Sequence, residues 1–259
     1  MEIDKLTVVE VKQLVSSSSM EQLNRLLELV KQDNRKGVRN LYKTILRQIE
    51  DEKNKLKKKQ VLLQEENKLW AMGYGNVGGL DEAGRGPLAG PVVAACVVFG
   101  PGTYIDGIDD SKKLSPARRE KLFSIIMEKA KAVGIGRVDA WEIDRLNILA
   151  ATRLAMEQAV SKCYPNIDFV LVDAMDLRLP VPNTSLIKGD ARSHSIAAAS
   201  IIAKVTRDRE MLEWHKKYPN YRFDSHKGYG TSSHIEAIRE HGLCPIHRRT
   251  FTHRIISDY

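Results

Sequence analysis

Two adjacent carboxylates, Asp81 and Glu82, stand at the mouth of a segment that reads GLDEAGRGPLAGP from Gly79 to Pro91. Side by side they repel each other, and a fold holds them together most readily around a cation. Two further acids follow short segments of their own. Asp173 ends the run FVLVD that starts at Phe169, and Asp190 follows Lys188-Gly189. An acid placed after several strand residues projects from the carboxyl end of the strand, where α/β sheets gather their sites. Hard divalent cations such as Mg²⁺ or Mn²⁺ take oxygen ligands of this type. Two such ions about 4 Å apart, bridged by a carboxylate, activate a water and stabilise a leaving oxygen in phosphodiester cleavage. Behind the acid pair, Gly84-Arg85-Gly86-Pro87 supplies a loop whose bare backbone can approach a ligand.

Each acid alone has an ordinary alternative, because strand-ending aspartates often cap turns or helices. Other acids compete for a role. Asp106, Asp109 and Asp110 share a loop with Lys112 and Lys113, whose charges suit phosphate contact or simply a solvated turn. Asp176 sits in an irregular, proline-bounded stretch. Asp208, in TRDRE, reads as a solvated helix position with partners four residues away. His241, Cys244 and His247 form an HxxCxxH run without the paired ligand spacing of a zinc site, and His247, Arg248 and Arg249 are expected as basic surface residues contacting phosphate or as caps. The glycine loop is not GxxxxGK[ST], which argues against a nucleoside triphosphate site.

The elements that would position these groups fall into two textures. Up to about residue 70, apolar residues recur at helical spacing, as in Leu23, Leu26, Leu27 and Val30, then Val38, Leu41, Ile45 and Ile49. Ser19 is the expected N-cap region, Gly37 the expected break between helices, and Glu50 to Lys59 a charged helix end or linker. From about Met72 strands and helices mix. Strands are expected over Val77–Asp81, Val92–Phe99, Ala132–Val138, Phe169–Asp173 and Leu186–Lys188. Helices are expected from Pro116 to Lys129 behind an N-cap at Ser115, from Ile143 to Lys162, and from Ser195 to about Lys217. Val92–Phe99 is apolar throughout, as a strand buried on both faces would be. The order suggests one layered α/β domain.

Size and charge agree with that reading. A chain of 259 residues accommodates one large domain with a small appendage. Lys plus Arg number 41 against 33 for Asp plus Glu, a net charge of +8 that favours polyanionic partners. Three scattered cysteines suit a reducing compartment, and nothing approaches the apolar length of a signal peptide core or a membrane span. A cytoplasmic protein without membrane contact is expected.

The segments GLDEAGRGPLAGPVVAA, DSKKLS, LVDAMDLRLP, KGDARSHSIAAASIIAKVTRDREM and SHKGYGTSSH, in this order, resemble bacterial type 2 ribonuclease H, ribonuclease HII. The resemblance covers about Met72 to Tyr259. It implies an α/β ribonuclease H-like fold, a mixed sheet flanked by helices, at residues 72–259 with a helical C-terminal part, behind a helical extension at 1–71. It implies a divalent-metal endonuclease that cuts the RNA strand of RNA–DNA hybrids and nicks duplex DNA 5′ to embedded ribonucleotides, leaving 5′-phosphate and 3′-hydroxyl ends. Asp81, Glu82, Asp173 and Asp190 would then be catalytic and metal-holding, with Mn²⁺ or Mg²⁺, a pair of ions once substrate is bound. Gly84, Arg85 and Gly86 would read the ribose 2′-hydroxyl, Tyr229 would pack near the ribonucleotide junction, and Lys112 would contact substrate. Arg85 favours type 2 over type 3 enzymes, which carry another residue between those glycines. A monomer is the expected working unit. Two other readings remain open at this point: a nucleic-acid-binding protein without catalysis, and a metal-dependent phosphatase or nuclease indifferent to the 2′-hydroxyl.

Overall fold

The structure is a computed structural model and describes residues 3–256. The chain divides into two compact units, residues 1–61 and 62–259.

The first unit is helical. α1 (Val8–Ser17) and α2 (Met20–Gln32) each open on a capping box, Thr7 with Glu10 and Ser19 with Gln22. α3 (Lys36–Arg39) is a single turn, and α4 (Leu41–Leu62) begins here. Val11, Val15, Leu26, Val30, Val38 and Ile45 form the core. Gly37 does not break a helix. It lies inside α3, and the breaks fall at residues 33–35 and 40. There Asp33 accepts from the Arg35 backbone and guanidinium, which hold its carboxyl down to about 2. Glu50 to Lys59 is no linker but the continuous middle of α4, whose apolar anchors Ile45 and Ile49 lie one turn earlier.

The second unit begins with α5 (Gln64–Ala71) and contains one five-stranded sheet in the order β3-β2-β1-β4-β5. β1 (Val77–Ala83), β2 (Val92–Phe99) and β3 (Ala132–Val138) form an antiparallel meander. β4 (Phe169–Asp173) and β5 (Asn183–Leu186) add on parallel to β1 and to each other. α6 (Pro116–Lys129), α7 (Ala140–Leu146), α8 (Ile148–Ser161) and α9 (His194–Lys217) surround the sheet, and α10 (Phe223–His226), α11 (Ser232–His241) and α12 (Arg249–Ile256) follow. β2 is buried along its whole length because its two faces serve different cores. Ala94, Cys96 and Val98 pack with Ala155 and Ala159 of α8. Ala95, Val97 and Phe99 pack with α6 and with the alanines of α9.

α9 lies so close to β1 that a Cβ on Gly79 would stand 2.0 Å from the Ser195 carbonyl carbon. α5 ties into the same helix start: Glu66, buried, accepts from Ser193 Oγ at 2.6 Å and Ser195 N at 2.9 Å. Two expectations need correction. The helix expected over Ile143–Lys162 is two helices, because Asn147 takes φ 72° and its Oδ1 caps the amides of Leu149 and Ala150. The strand expected at Leu186–Lys188 is Asn183–Leu186, which pairs with β4, and Lys188 turns away with φ 55°.

Candidate active site

The parallel ladder between β1 and β4 ends at Leu80 opposite Val172. The next residue on each strand is an acid, Asp81 and Asp173, so the register itself sets two carboxylates side by side at the carboxyl end of the β1–β4 ladder. β1 does not stop at Asp81 as expected; pairing with β2 carries it through Glu82 opposite Ala94 and Ala83 opposite Val93. Asp81 is buried, at 7 % exposure. Burial pushes its carboxyl well above the ordinary range, and the charges of Glu82 and Asp173 push the same way. Burial also raises Glu82, offset by Arg85, whose Nη1 lies 3.3 Å from Glu82 Oε1. Asp173 is raised by burial and by Asp190, and lowered by the Gly189 N–H, which donates to its Oδ1 at 2.7 Å, and by Lys112.

These acids line a cleft of roughly 600 Å³ together with Gly84, Arg85, Gly86, Lys112, Asp190 and Tyr229. The nine residues that the resemblance assigned to the site therefore meet in one concavity, although up to 148 positions separate them (Asp81 to Tyr229). Asp176, between β4 and β5, is not among the cleft's lining residues. Asp110 caps the turn ahead of Lys112, accepting from the Lys112 N–H at 2.9 Å. Asp208 pairs with Lys204 at 2.7 Å.

The donor set suits a hard divalent cation: three crowded carboxylates, each held above its usual range by burial and further by the charge of a neighbouring acid. Among the described residues no group of three or more His, Cys, Asp or Glu side chains is arranged to hold an ion as the side chains stand. Glu82 leans to Arg85 and Asp173 to the Gly189 amide.

Several residues that shape the cleft were not read from the sequence. Ser200 lines the cleft beside Asp81, and its Oγ lies 2.8 Å from Ser111 Oγ. That contact fastens the DSKKLS loop to α9 at the floor of the cleft. Lys204 also lines the cleft, and Lys204 Nζ and the Arg207 guanidinium each lie 5.8 Å from the Tyr229 ring centre. The available signal was spacing: Ser200, Lys204 and Arg207 stand at i, i+4 and i+7, polar positions along one side of a helix whose first half is apolar and buried.

Behind the cleft, two arginines are fully buried. Arg207 donates to the carbonyls of Pro91, Lys227 and Ala89 at 2.9–3.0 Å. Arg248 donates to those of Gly84, Arg85 and Gly90 at 2.6–3.0 Å. Burial lowers both guanidinium groups, Arg248 to about 9. Gly84, at φ 94°, leaves no room for a side chain, since a Cβ there would meet Arg207 Nε at 2.1 Å.

The histidines expected at the surface are partly inside. His247 Nδ1 accepts from the Cys244 amide, its Nε2 lies 3.0 Å from His234 Nε2, and His234 Nδ1 lies 2.9 Å from the Tyr229 carbonyl. The only assignment that satisfies all of these has both rings neutral, with His247 donating to His234 and His234 to Tyr229. Burial holds each at about 4, so neutral rings are what neutral pH gives.

Comparison with known proteins bears on the family and the fold. Residues 78–254 match the family model for ribonuclease HII, and residues 7–70 match the model for the ribonuclease HII N-terminal domain. The ribonuclease HII of Geobacillus thermodenitrificans is 49% identical over 95% of this chain and 94% of its own length. That of Clostridioides difficile is 44% identical over 96% of this chain and 98% of its own. Among solved structures, ribonuclease H2 from Pyrococcus horikoshii superposes with a TM-score of 0.58 at 31% identity, covering 71% of this chain and 98% of that one.

Proposed function

The chain belongs to the ribonuclease HII family, and as an endonuclease of the ribonuclease H type we propose that it makes its cut where it finds a ribose. Its substrates in this reading are the RNA strand of RNA–DNA hybrids and duplex DNA with embedded ribonucleotides, nicked on the 5′ side to leave a 5′-phosphate and a 3′-hydroxyl. One observation carries the proposal: the carboxylate cluster and the Gly84–Gly86 loop line the same cleft. A scissile phosphate at the acids therefore has its neighbouring sugar at the loop. Only the 2′-hydroxyl tells RNA from DNA at a single nucleotide, and backbone groups of a glycine loop can reach it.

Asp81, Glu82, Asp173 and Asp190 are the residues that would hold Mg²⁺ or Mn²⁺. Bound there, such ions supply a nucleophilic hydroxide at neutral pH and stabilise the leaving oxygen. Ser200 and Ser111, hydrogen-bonded to each other, line the cleft beside Asp81. Tyr229, half exposed, offers a face for sugar or base stacking beside Lys204. Lys112 and Arg85 project into the cleft as phosphate contacts. The helical unit at 1–61, with exposed lysines along α4, raises affinity for the polyanion without changing the chemistry. Three free, buried cysteines suit a reducing cytoplasm, and no described helix is long and apolar enough to cross a membrane. The protein acts as a monomer in this reading.

The test is a panel of duplexes containing none, one or four ribonucleotides, with Mg²⁺, with Mn²⁺ and with chelator. Cutting of the second and third substrates only, and only with metal, is expected. Equal cutting of all-DNA duplex would refute ribose specificity, and salt-sensitive binding without a nick would refute catalysis. The same panel on a chain beginning at Leu62 should show weaker binding at unchanged maximal rate; equal affinity would remove the role assigned to the first unit.

A further inference from the structure

Arg248 is placed where no surface function is open to it. It is 0 % exposed, and its own amide is pinned to the Leu88 carbonyl at 2.8 Å. Its three side-chain hydrogen bonds all end on carbonyls of one short loop: Nη2 on Gly84, Nη1 on Arg85, Nε on Gly90. Arg207, also fully buried, stands close enough for their like charges to oppose each other. An apolar side chain here would escape that opposition but would leave the three loop carbonyls without their donor. What an apolar residue could not do is orient peptide planes.

The orientation has a direct consequence. The peptides joining Gly84 to Arg85 and Arg85 to Gly86 are trans. In a trans peptide the C=O and the following N–H point to opposite sides. Arg248 draws the Gly84 and Arg85 carbonyls inward, so the N–H groups of Arg85 and Gly86 face the other way, toward the cleft these residues line. Two successive outward N–H groups form a small concavity suited to an electron-rich oxygen.

We propose that Arg248 is a positioning residue for ribose recognition: it fixes two backbone N–H donors, those of Arg85 and Gly86, against the sugar and phosphate oxygens of the ribonucleotide. The proposal rests on the ribose-directed reading of the cleft. Arginine is required because a planar fork reaches three carbonyls at once, whereas a lysine ammonium at the end of a flexible stem reaches them singly. Tyr229 is held to the same frame from its far side, through the Lys227 carbonyl on Arg207 and through His234.

The experiment compares the wild-type chain with Arg248→Lys and Arg248→Gln on a duplex containing one ribonucleotide, and follows amide exchange at Arg85 and Gly86. Both variants should melt cooperatively and bind the duplex within about threefold of wild type, since phosphate contacts elsewhere are intact. Their kcat should fall about 100-fold, the loss expected when reacting groups are misplaced by about 1 Å. Exchange at Arg85 and Gly86 should quicken while exchange in β1 and β2 stays as in wild type. Wild-type kcat, or kcat and binding falling together, or variants that no longer melt cooperatively, would overturn the proposal, because Arg248 would then be dispensable or only a folding element. Should the wild-type chain cut all-DNA duplex equally well, the functional reading fails. The amide exchange of the two variants then still decides whether Arg248 holds the loop.

Discussion

Two groups of like charges are taken out of water around one stretch of chain, residues 81 to 91, and the fold treats them in opposite ways. Asp81, Glu82 and Asp173 crowd at the carboxyl end of the β1–β4 ladder, and burial and mutual repulsion push their carboxyls upward. Arg207 and Arg248 lie behind the loop, and burial pushes their guanidinium groups downward. The arginines direct their hydrogen bonds to six carbonyls. The acids keep oxygens facing a cleft. A buried charge whose partners are all internal is scaffold, and one that faces a cavity with like charges around it is a site for a counter-ion. The glycine loop lies between the two, fixed on one side and reading on the other.

The sharpest way to break this contrast is Asp81→Asn. Cleavage should drop by at least ~1000-fold, because one carboxylate of the cation set and its negative charge are gone, while binding of the duplex changes little. Stability of the metal-free protein should move the other way and rise, by ~2–4 °C in melting temperature for each kcal/mol of repulsion removed. The pH dependence carries the same sign. The folded state holds these carboxyl protons more tightly than the unfolded chain, so it binds more protons over the interval between the ordinary carboxylate value and the raised one. Stability in chelator should therefore fall as pH rises through that interval, and excess Mg²⁺ should abolish the fall. An active Asp81→Asn protein would show that Asp81 is not a ligand of the cation, and a flat profile in chelator would show that these carboxyls are not crowded upward in the metal-free fold.

The opposite sign is expected at the arginines. Arg207→Met leaves the carbonyls of Ala89, Pro91 and Lys227 without their donor in a buried setting. A loss on the order of 3 kcal/mol is expected, since each buried unsatisfied group costs about 1–3 kcal/mol. Chemical denaturation, read with the slope unchanged, measures it. A stability gain in Arg207→Met, as in Asp81→Asn, would mean that the arginines too are a strained site and that the contrast is false.

The sequence exposes these two groups to different degrees, for a physical reason. Asp81, Glu82 and Asp173 follow apolar β-forming runs, so their place at strand ends is legible from pattern alone. Their meeting is not, because it depends on the register of Leu80 with Val172 across ninety-two positions. The arginines leave almost no trace. Arg207 sits in TRDRE, which has the charge texture of a solvated helix face, and Arg248 in a run of His and Arg that looks like surface. Their partners are backbone carbonyls, which every residue possesses and no residue type advertises. Asn147 hides its helix break similarly, since the capping amides two and three residues on carry no signature of their own.

The smallest effect separates two roles for the one exposed lysine among the cleft residues read from the sequence. Lys112 lowers Asp173, so it acts on the acids as a weak internal counter-charge. It is also exposed and lies in the cleft, where a substrate phosphate would pass. A counter-charge to the acids would show itself in the metal requirement: Lys112→Ala would bind divalent ions more tightly and saturate at lower Mg²⁺. A phosphate contact would show itself in salt: the slope of log affinity against log salt would lessen by about one, with affinity down a few-fold at unchanged kcat. The second outcome is expected, because an exposed ammonium screened by water contributes little to a buried carboxylate, whereas each phosphate it neutralises releases a counter-ion. Tighter Mg²⁺ binding with an unaltered salt slope would instead extend the acidic cluster outward to include Lys112, and would leave the phosphate contacts to Arg85 and Lys204.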